Sequence, residues 1–134
     1  KPIAVTANNP EMAKKRYMVY LAMEAHEVGC DKKAETLIQE FGHLFKQMGF
    51  TQHKLRPFEA KGKGSNVSWC VEHLEATFWK KSGINPDNVF ITNMDADSWI
   101  HEAYFTEIDI HLQKENEVYT YIFSPPQIFT RNHM

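Results

Sequence analysis

Apolar residues in the first third of the chain follow two different periods. Residues 17–23 form a continuous apolar run, which is typical of a strand that is buried on both faces. Asp31 then stands where a helix N-cap is expected, and apolar residues recur at helical spacing over 34–48 until Gly49. The pattern predicts a parallel strand followed by a helix that ends at Gly49.

The rest of the chain repeats this alternation, with turn-forming residues at 85–87. The predicted elements are a short strand at 54–58, a helix that carries the apolar residues of 67–78 and ends near Gly83, a strand at 89–94, a helix at 99–112 and a strand at 118–123. Such alternation predicts an α/β fold with three layers, in which helices flank a mostly parallel sheet. Ligands of these folds bind beyond the carboxyl ends of the strands.

Residues 1–16 fit no single element. Residues 3–6 could pair as an edge strand, whereas Asn9, Pro10 and Glu11 have the order of a helix start. With 134 residues and no stretch of linker composition, the chain is predicted to form one domain over residues 1–134.

Composition excludes several classes of protein. A hydrophobic share of 43% and a charged share of 24% are those of a folded globular chain. The formal net charge of -2 argues against a nucleic-acid partner. Cys30 and Cys70 form no CxxC pair, so both are predicted to be buried and free. No apolar run reaches the roughly 20 residues that cross a bilayer.

Asp95 and Asp97 place two carboxylates two positions apart at the end of the predicted strand 89–94. At about 5 Å and an effective dielectric constant of about 20, they repel each other by roughly 3 kcal/mol, which a bound divalent cation would remove. The alternative is an exposed turn in which one of them caps the following helix. A buried strand holds its terminal groups in place, which favours the metal.

Two other kinds of metal site are excluded. A calcium loop that begins at Asp95 would need an oxygen ligand and a glycine where Trp99 and Ile100 stand. A zinc-binding helix would need a second histidine four residues after the first of each His-Glu pair, at Cys30 or Phe105.

A basic, glycine-rich segment at 61–66 opens a predicted helix. Free backbone amides and the positive end of a helix favour an anion there, above all a phosphate. The segment is not a P-loop, because Lys63 precedes Gly64 instead of following it at the required spacing. The alternative is an ordinary basic turn.

The order of these motifs resembles family 2 glycosyltransferases, which have the GT-A nucleotide-sugar-binding fold. Residues 17–27 resemble the second strand of that fold, which ends in an acidic residue. Residues 62–66 resemble the family's GK-x-x-N segment, and 89–98 resemble its strand-borne DxD motif. The resemblance covers residues 17–134.

The resemblance implies a function and a set of site residues. The function is transfer of a sugar from a nucleotide-diphosphate sugar, in particular a UDP-sugar, to a hydroxyl acceptor such as a glycan. Asp97, together with Asp95, would bind Mn²⁺ or Mg²⁺. The donor would be bound by Asp95, by Lys63, Ser65 and Asn66, and by Glu24 or Glu27 near the nucleotide base.

Two parts of the family pattern are missing from this sequence. The family's first strand is not found, and the acidic catalytic base is expected beyond Met134. The chain is therefore expected to be a fragment, inactive alone, of a membrane-anchored parent that works at the cytoplasmic face. A missing central strand would leave strand edges unpaired, so self-association is expected.

Two other functions stay open. Phosphotransferases of the haloacid dehalogenase type also carry DxD after a strand, and there the first aspartate is a nucleophile. An interaction module that has kept the fold without its chemistry is the second alternative.

Overall fold

The computed structural model describes residues 2–98 and 100–114, and it divides into two compact units, Lys1–Ile100 and His101–Met134. In chain order the elements are α1 (Pro2–Thr6), α2 (Pro10–Arg16), β1 (Met18–Glu24), α3 (Cys30–Phe41), β2 (Gln47–His53), α4 (Lys63–Leu74), α5 (Lys80–Ser82) and α6 (Tyr104–Lys114). A π-helical turn, Glu75–Trp79, joins α4 to α5, and short 3-10 turns lie at Gly42–Leu44 and Pro86–Asn88.

The N-terminal segment is helical. Asn9 is the N-cap of α2, since its Oδ1 accepts the Met12 N–H at 3.2 Å, and Pro10 opens the helix. The helix start predicted at Asn9 is therefore confirmed. The edge strand considered for residues 3–6 is wrong, because α1 covers them.

The sheet consists of β1 and β2, which pair in parallel from Met18↔Gln47 to Glu24↔His53, with α3 between them in the sequence. The prediction of a parallel strand at 17–23 is confirmed to within one residue. Every residue of β1 is only half-buried, however, so burial on both faces is incomplete. The βαβ order of these elements is that of an α/β fold.

The boundary between α3 and β2 differs from its prediction. The helix ends at Phe41 instead of running to 48, and Gly49 lies inside β2 opposite Tyr20. The strand predicted at 54–58 is wrong, because β2 ends at His53. Helical spacing at 44–48 was overridden by the hydrogen bonds that β1 offers to a parallel neighbour.

Helix α4 begins earlier than predicted, at Lys63, so the second half of the basic loop forms its first turn. After the π-helical turn and α5 the helix ends at Gly83, which has a φ of 66° and so takes a left-handed conformation. The predicted end of this helix is confirmed. The turn at 85–87 is also confirmed, since Asn85 Oδ1 accepts the Asp87 N–H at 3.1 Å.

Apolar clusters cover β1 through different residues. Val19 packs with a cluster built on Phe41 and Phe45, whereas Tyr20 and Ala22 pack with a cluster that includes Trp79. Because neighbouring strand residues point to opposite faces, both faces of the sheet are covered. The members of the first cluster are Ala7, Ala13, Phe41 and Phe45, and those of the second are Cys70, Leu74 and Trp79.

The coarse α/β class is thus confirmed, with a small parallel sheet.

The strand predicted at 89–94 is wrong: residues 89–95 pair with no strand, and Phe90 and Ile91 are exposed. Val89 packs on the second cluster, and its N–H donates to the Pro86 carbonyl at 2.9 Å. A strand needs a neighbour to receive its hydrogen bonds, and residues 2–98 and 100–114 supply none at this position.

The second unit contains α6, which confirms most of the helix predicted at 99–112. Trp99 and the strand predicted at 118–123 lie outside the described residues. Cys30 and Cys70 are buried and free, as predicted. Across the described part of the chain, no helix is both long and apolar enough to cross a membrane. The expectation of a single domain stays a prediction.

Candidate functional site

The candidate site lies where the two parallel strands end. Glu24 is the last residue of β1, His53 is the last residue of β2, and the two pair in the register. The Ala25 N–H donates to the His53 carbonyl at 2.9 Å and continues the pairing by one residue. Parallel strands present their carboxyl ends at the same edge of a sheet, so the carboxylate and the imidazole meet there.

His53 lies between two carboxylates, and its side chain is fully buried. Its Nδ1 is 3.3 Å from Glu24 Oε2, and its Nε2 is 3.0 Å from Glu59 Oε2. The first contact lacks hydrogen-bond alignment, so Nδ1 and Glu24 Oε2 are both buried without a hydrogen bond within the described residues. Buried polar atoms without a hydrogen bond cost folding free energy, so this pair is a candidate for a functional site.

A cleft of about 500 Å³ opens beside this pair. Its lining residues are Ala25, His26, His53, Lys54, Leu55 and Lys61. His26 Nδ1 lies 3.7 Å from Glu24 Oε2, so two histidines approach one carboxylate oxygen. The two lysines give the cleft a positive rim, which favours an anionic ligand.

A tight turn at 56–59 follows the cleft-lining residues Lys54 and Leu55. The Glu59 N–H donates to the Arg56 carbonyl at 3.1 Å, and the Arg56 N–H donates to Glu59 Oε2 at 2.7 Å. The second bond, with help from His53, holds the pKa of Glu59 below its usual value. Phe58 at the tip has a φ of 67° and is fully exposed.

Lys63 and Asp95 are brought together by the fold. Lys63 Nζ is 2.6 Å from Asp95 Oδ1, and both side chains are about half-exposed. An exposed pair of this kind contributes only about 0 to 1 kcal/mol to stability. The contact therefore adds little to stability, but it does bring the basic segment to Asp95.

Asp97 is exposed and lies in a turn closed by the Ser98 N–H, which donates to the Asp95 carbonyl at 3.0 Å. Within residues 2–98 and 100–114, no group of three His, Cys, Asp or Glu side chains could hold a metal ion. Two carboxylates with no third protein ligand fit Mg²⁺ or Mn²⁺, which commonly bind through one or two carboxylates together with phosphate oxygens and water. The residues present thus fit a metal that binds together with a diphosphate.

Ser65 and Asn66, the other predicted donor residues of the basic segment, make contacts within the protein. Ser65 Oγ donates to the Gly62 carbonyl at 2.8 Å. Asn66 is buried, and its Nδ2 donates to the Ala22 carbonyl of β1 at 2.8 Å. Its Oδ1 has no hydrogen bond within the described residues. Asn66 therefore ties α4 to β1.

Glu24 and Glu27, the two residues predicted near the nucleotide base, have different surroundings. Glu24 contacts both histidines that line the cleft. Glu27 Oε1 instead lies 2.7 Å from Lys33 Nζ on the surface, and that hydrogen bond lowers the pKa of Glu27. Of the two, Glu24 is the one that lies next to cleft-lining residues.

Sequence reasoning missed His53, Glu59 and the cleft residues Lys54 and Leu55. They were missed because a strand was predicted at 54–58, whereas β2 ends at His53. The prediction therefore put the carboxyl edge of the sheet too far along the chain. Pro57 was the available signal, since a proline disfavours a central strand and is common in turns.

Comparisons with protein families, with curated proteins and with solved structures find no match to this chain. The resemblance to family 2 glycosyltransferases stays a prediction.

Proposed function

We propose that this chain binds the nucleotide-sugar donor of a metal-dependent glycosyl transfer of the family 2 type. The supporting observation is the 2.6 Å contact between Lys63 and Asp95, an ion pair between the basic segment and the DxD segment. A bound diphosphate needs both kinds of group, because cations and amides offset its charge and carboxylates hold its metal.

Lys63 and the start of α4 would face the diphosphate. The helix has 12 residues, and no side chain caps its N-terminus at Gly62. Its first N–H groups and the positive end of the helix dipole favour an anion, and Lys63 adds a full positive charge. The ion pair with Asp95 keeps that charge near the metal ligands.

Asp97 would hold Mn²⁺ or Mg²⁺ together with Asp95. When bound, the metal would neutralise negative charge on the leaving diphosphate. The chain's own contribution is to keep two carboxylates and one lysine within reach of the same phosphates. When the bond between sugar and diphosphate breaks, the diphosphate leaves with additional negative charge, which these residues would stabilise.

The nucleoside would enter the cleft beside Glu24. A volume of about 500 Å³ lies in the usual range of small-molecule pockets. Glu24 is the acidic residue next to the cleft-lining His26 and His53, which supports its assignment near the base. No described residue is assigned as the base that activates the acceptor hydroxyl, so the proposal is one of donor binding.

Calorimetric titration with UDP, with and without Mn²⁺, tests the proposal. Wild-type protein should bind UDP with Mn²⁺ and lose that binding in EDTA. Lys63→Met and Asp97→Asn should each weaken binding by about tenfold, or 1.4 kcal/mol. The matched controls Lys80→Met and Asp87→Asn change exposed residues of the same types outside the site and should leave the affinity unchanged.

Three results would contradict donor binding. A heat of UDP binding that does not change with Mn²⁺ would show that binding does not need the metal. No heat at all would favour a non-catalytic interaction module. Trapping of a beryllium fluoride adduct on Asp95 would favour the phosphotransferase alternative, in which that residue is the nucleophile.

A further inference from the structure

His53 lines the cleft proposed for the nucleoside, but its side chain has no assigned contact with the donor and is enclosed by protein groups. Glu24 of β1 faces its Nδ1, and Glu59 from the segment after β2 faces its Nε2. From α4, the Trp69 ring meets the imidazole edge-on at 74°, with 6.3 Å between ring centroids. Polar groups are rarely buried this completely unless they connect partners.

The imidazole lies between the two carboxylates, with Nε2 in a hydrogen bond of 3.0 Å to Glu59 Oε2 and Nδ1 3.3 Å from Glu24 Oε2 without one. Removing the ring nitrogens therefore removes the hydrogen bond that ties His53 to Glu59.

Glu59 connects His53 to the turn at 56–59. The carboxylate that contacts His53 Nε2 also accepts the Arg56 N–H at 2.7 Å. The φ of 67° at Phe58 is a strained conformation, which persists only where the surroundings enforce it. Leu55 lies just before this turn and lines the cleft, so the position of this cleft wall depends on the turn.

We propose that His53 is a positioning residue for the ligand cleft. Through Glu59 it holds the turn at 56–59, which follows the cleft-lining residues Lys54 and Leu55. This wall of the cleft thereby keeps its position for the nucleoside of the donor. The identity of the ligand rests on the proposed function, whereas the hold on the turn is a property of the protein alone.

His53→Phe tests the proposal, because phenylalanine retains a ring and loses both nitrogens. Amide hydrogen exchange of Arg56 reports on the turn, and calorimetry with UDP and Mn²⁺ reports on the cleft. We expect Arg56 exchange to rise by about tenfold and UDP affinity to fall by about tenfold, with unfolding still cooperative. His53→Gln, which retains a donor and an acceptor, should recover part of both losses.

The exposed His43 gives a matched control, and His43→Gln should change neither readout. Unchanged exchange at Arg56 in folded His53→Phe would overturn the proposal. Weaker UDP binding without faster exchange would also overturn it, because His53 would then contact the ligand directly.

Two further measurements cover the cases in which His53→Phe does not fold or the wild type binds no UDP. If His53→Phe does not fold, His53→Asn replaces it, since a shorter polar side chain cannot reach the Glu59 carboxylate, and the same rise in exchange is expected. If the wild type binds no UDP, donor binding fails by itself, and the exchange of Arg56 still decides the positioning role.

Discussion

Tyr20 and Gly49 face each other in the register of β1 and β2, and the Tyr20 ring lies over the glycine. A Cβ on Gly49 would come within 2.9 Å of Tyr20 Cε1. The ring has little freedom to move away, because its hydroxyl accepts a hydrogen bond from Gln47 Nε2 at 2.6 Å and its face packs near Phe78. This close approach fixes how the strand after α3 lies on β1.

Gly49→Ala should therefore destabilise the protein. The added methyl group displaces the Tyr20 ring, and overpacking of this kind costs about 1 to 3 kcal/mol. Gly64→Ala is the matched control, since its Cβ would meet nothing within 4 Å in the first turn of α4. Urea unfolding measures both, and an unchanged midpoint for Gly49→Ala would contradict the close contact.

Phe58→Gly should stabilise the protein. The φ of 67° at Phe58 disfavours any residue with a Cβ, and the exposed ring contributes no burial. After the greater flexibility of glycine in the unfolded chain is subtracted, the expected net gain is about 0.5 to 1 kcal/mol. Phe58→Ala keeps the strain and should change the unfolding midpoint little, so an equal gain in both variants would show that strain is not the cause.

Asn66→Ala should cost about 1 to 3 kcal/mol. Asn66 Nδ2 donates to the Ala22 carbonyl, and the truncation leaves that carbonyl without its donor at a buried place. Ser68→Ala changes an exposed residue of the same helix and should stay within about 0.5 kcal/mol of the wild type. Equal unfolding curves for the two variants would show that the bond from Asn66 does not stabilise the contact between α4 and β1.

The contribution of Glu59 to stability should disappear in acid. Its folded-state pKa lies below the usual 4.5, mainly because the Arg56 N–H donates to the carboxylate. A lowered pKa means that the folded state favours the charged form, so the stabilisation is complete above about pH 4.5 and is lost as pH falls through the folded pKa.

The stability difference between wild type and Glu59→Gln measures this effect. The difference should be constant near neutral pH and should shrink below about pH 4.5. Glu27 and the other carboxylates titrate in both proteins and cancel from the comparison. A difference that grows on acidification would mean that the sign of the shift is wrong, and a carbon-13 titration of the Glu59 carboxyl would show this directly.

The sequence by itself determined the local features of this protein. Asn9 and Pro10 begin a helix, Gly83 ends one, and the apolar run at 17–23 becomes a parallel strand. Each of these depends on groups within a few residues of each other, such as a cap, a left-handed glycine or a continuous apolar run. Residue spacing alone therefore carries the information.

Only the tertiary structure decided where the second strand ends and which apolar run stays unpaired. A strand exists where a neighbour accepts its hydrogen bonds, so β2 formed at Gln47–His53 and residues 89–94 joined no sheet. That choice placed His53 beside Glu24, although the two are 29 positions apart. Contacts between distant residues depend on register, and a shift of a few residues, invisible in the pattern, changes which side chains meet.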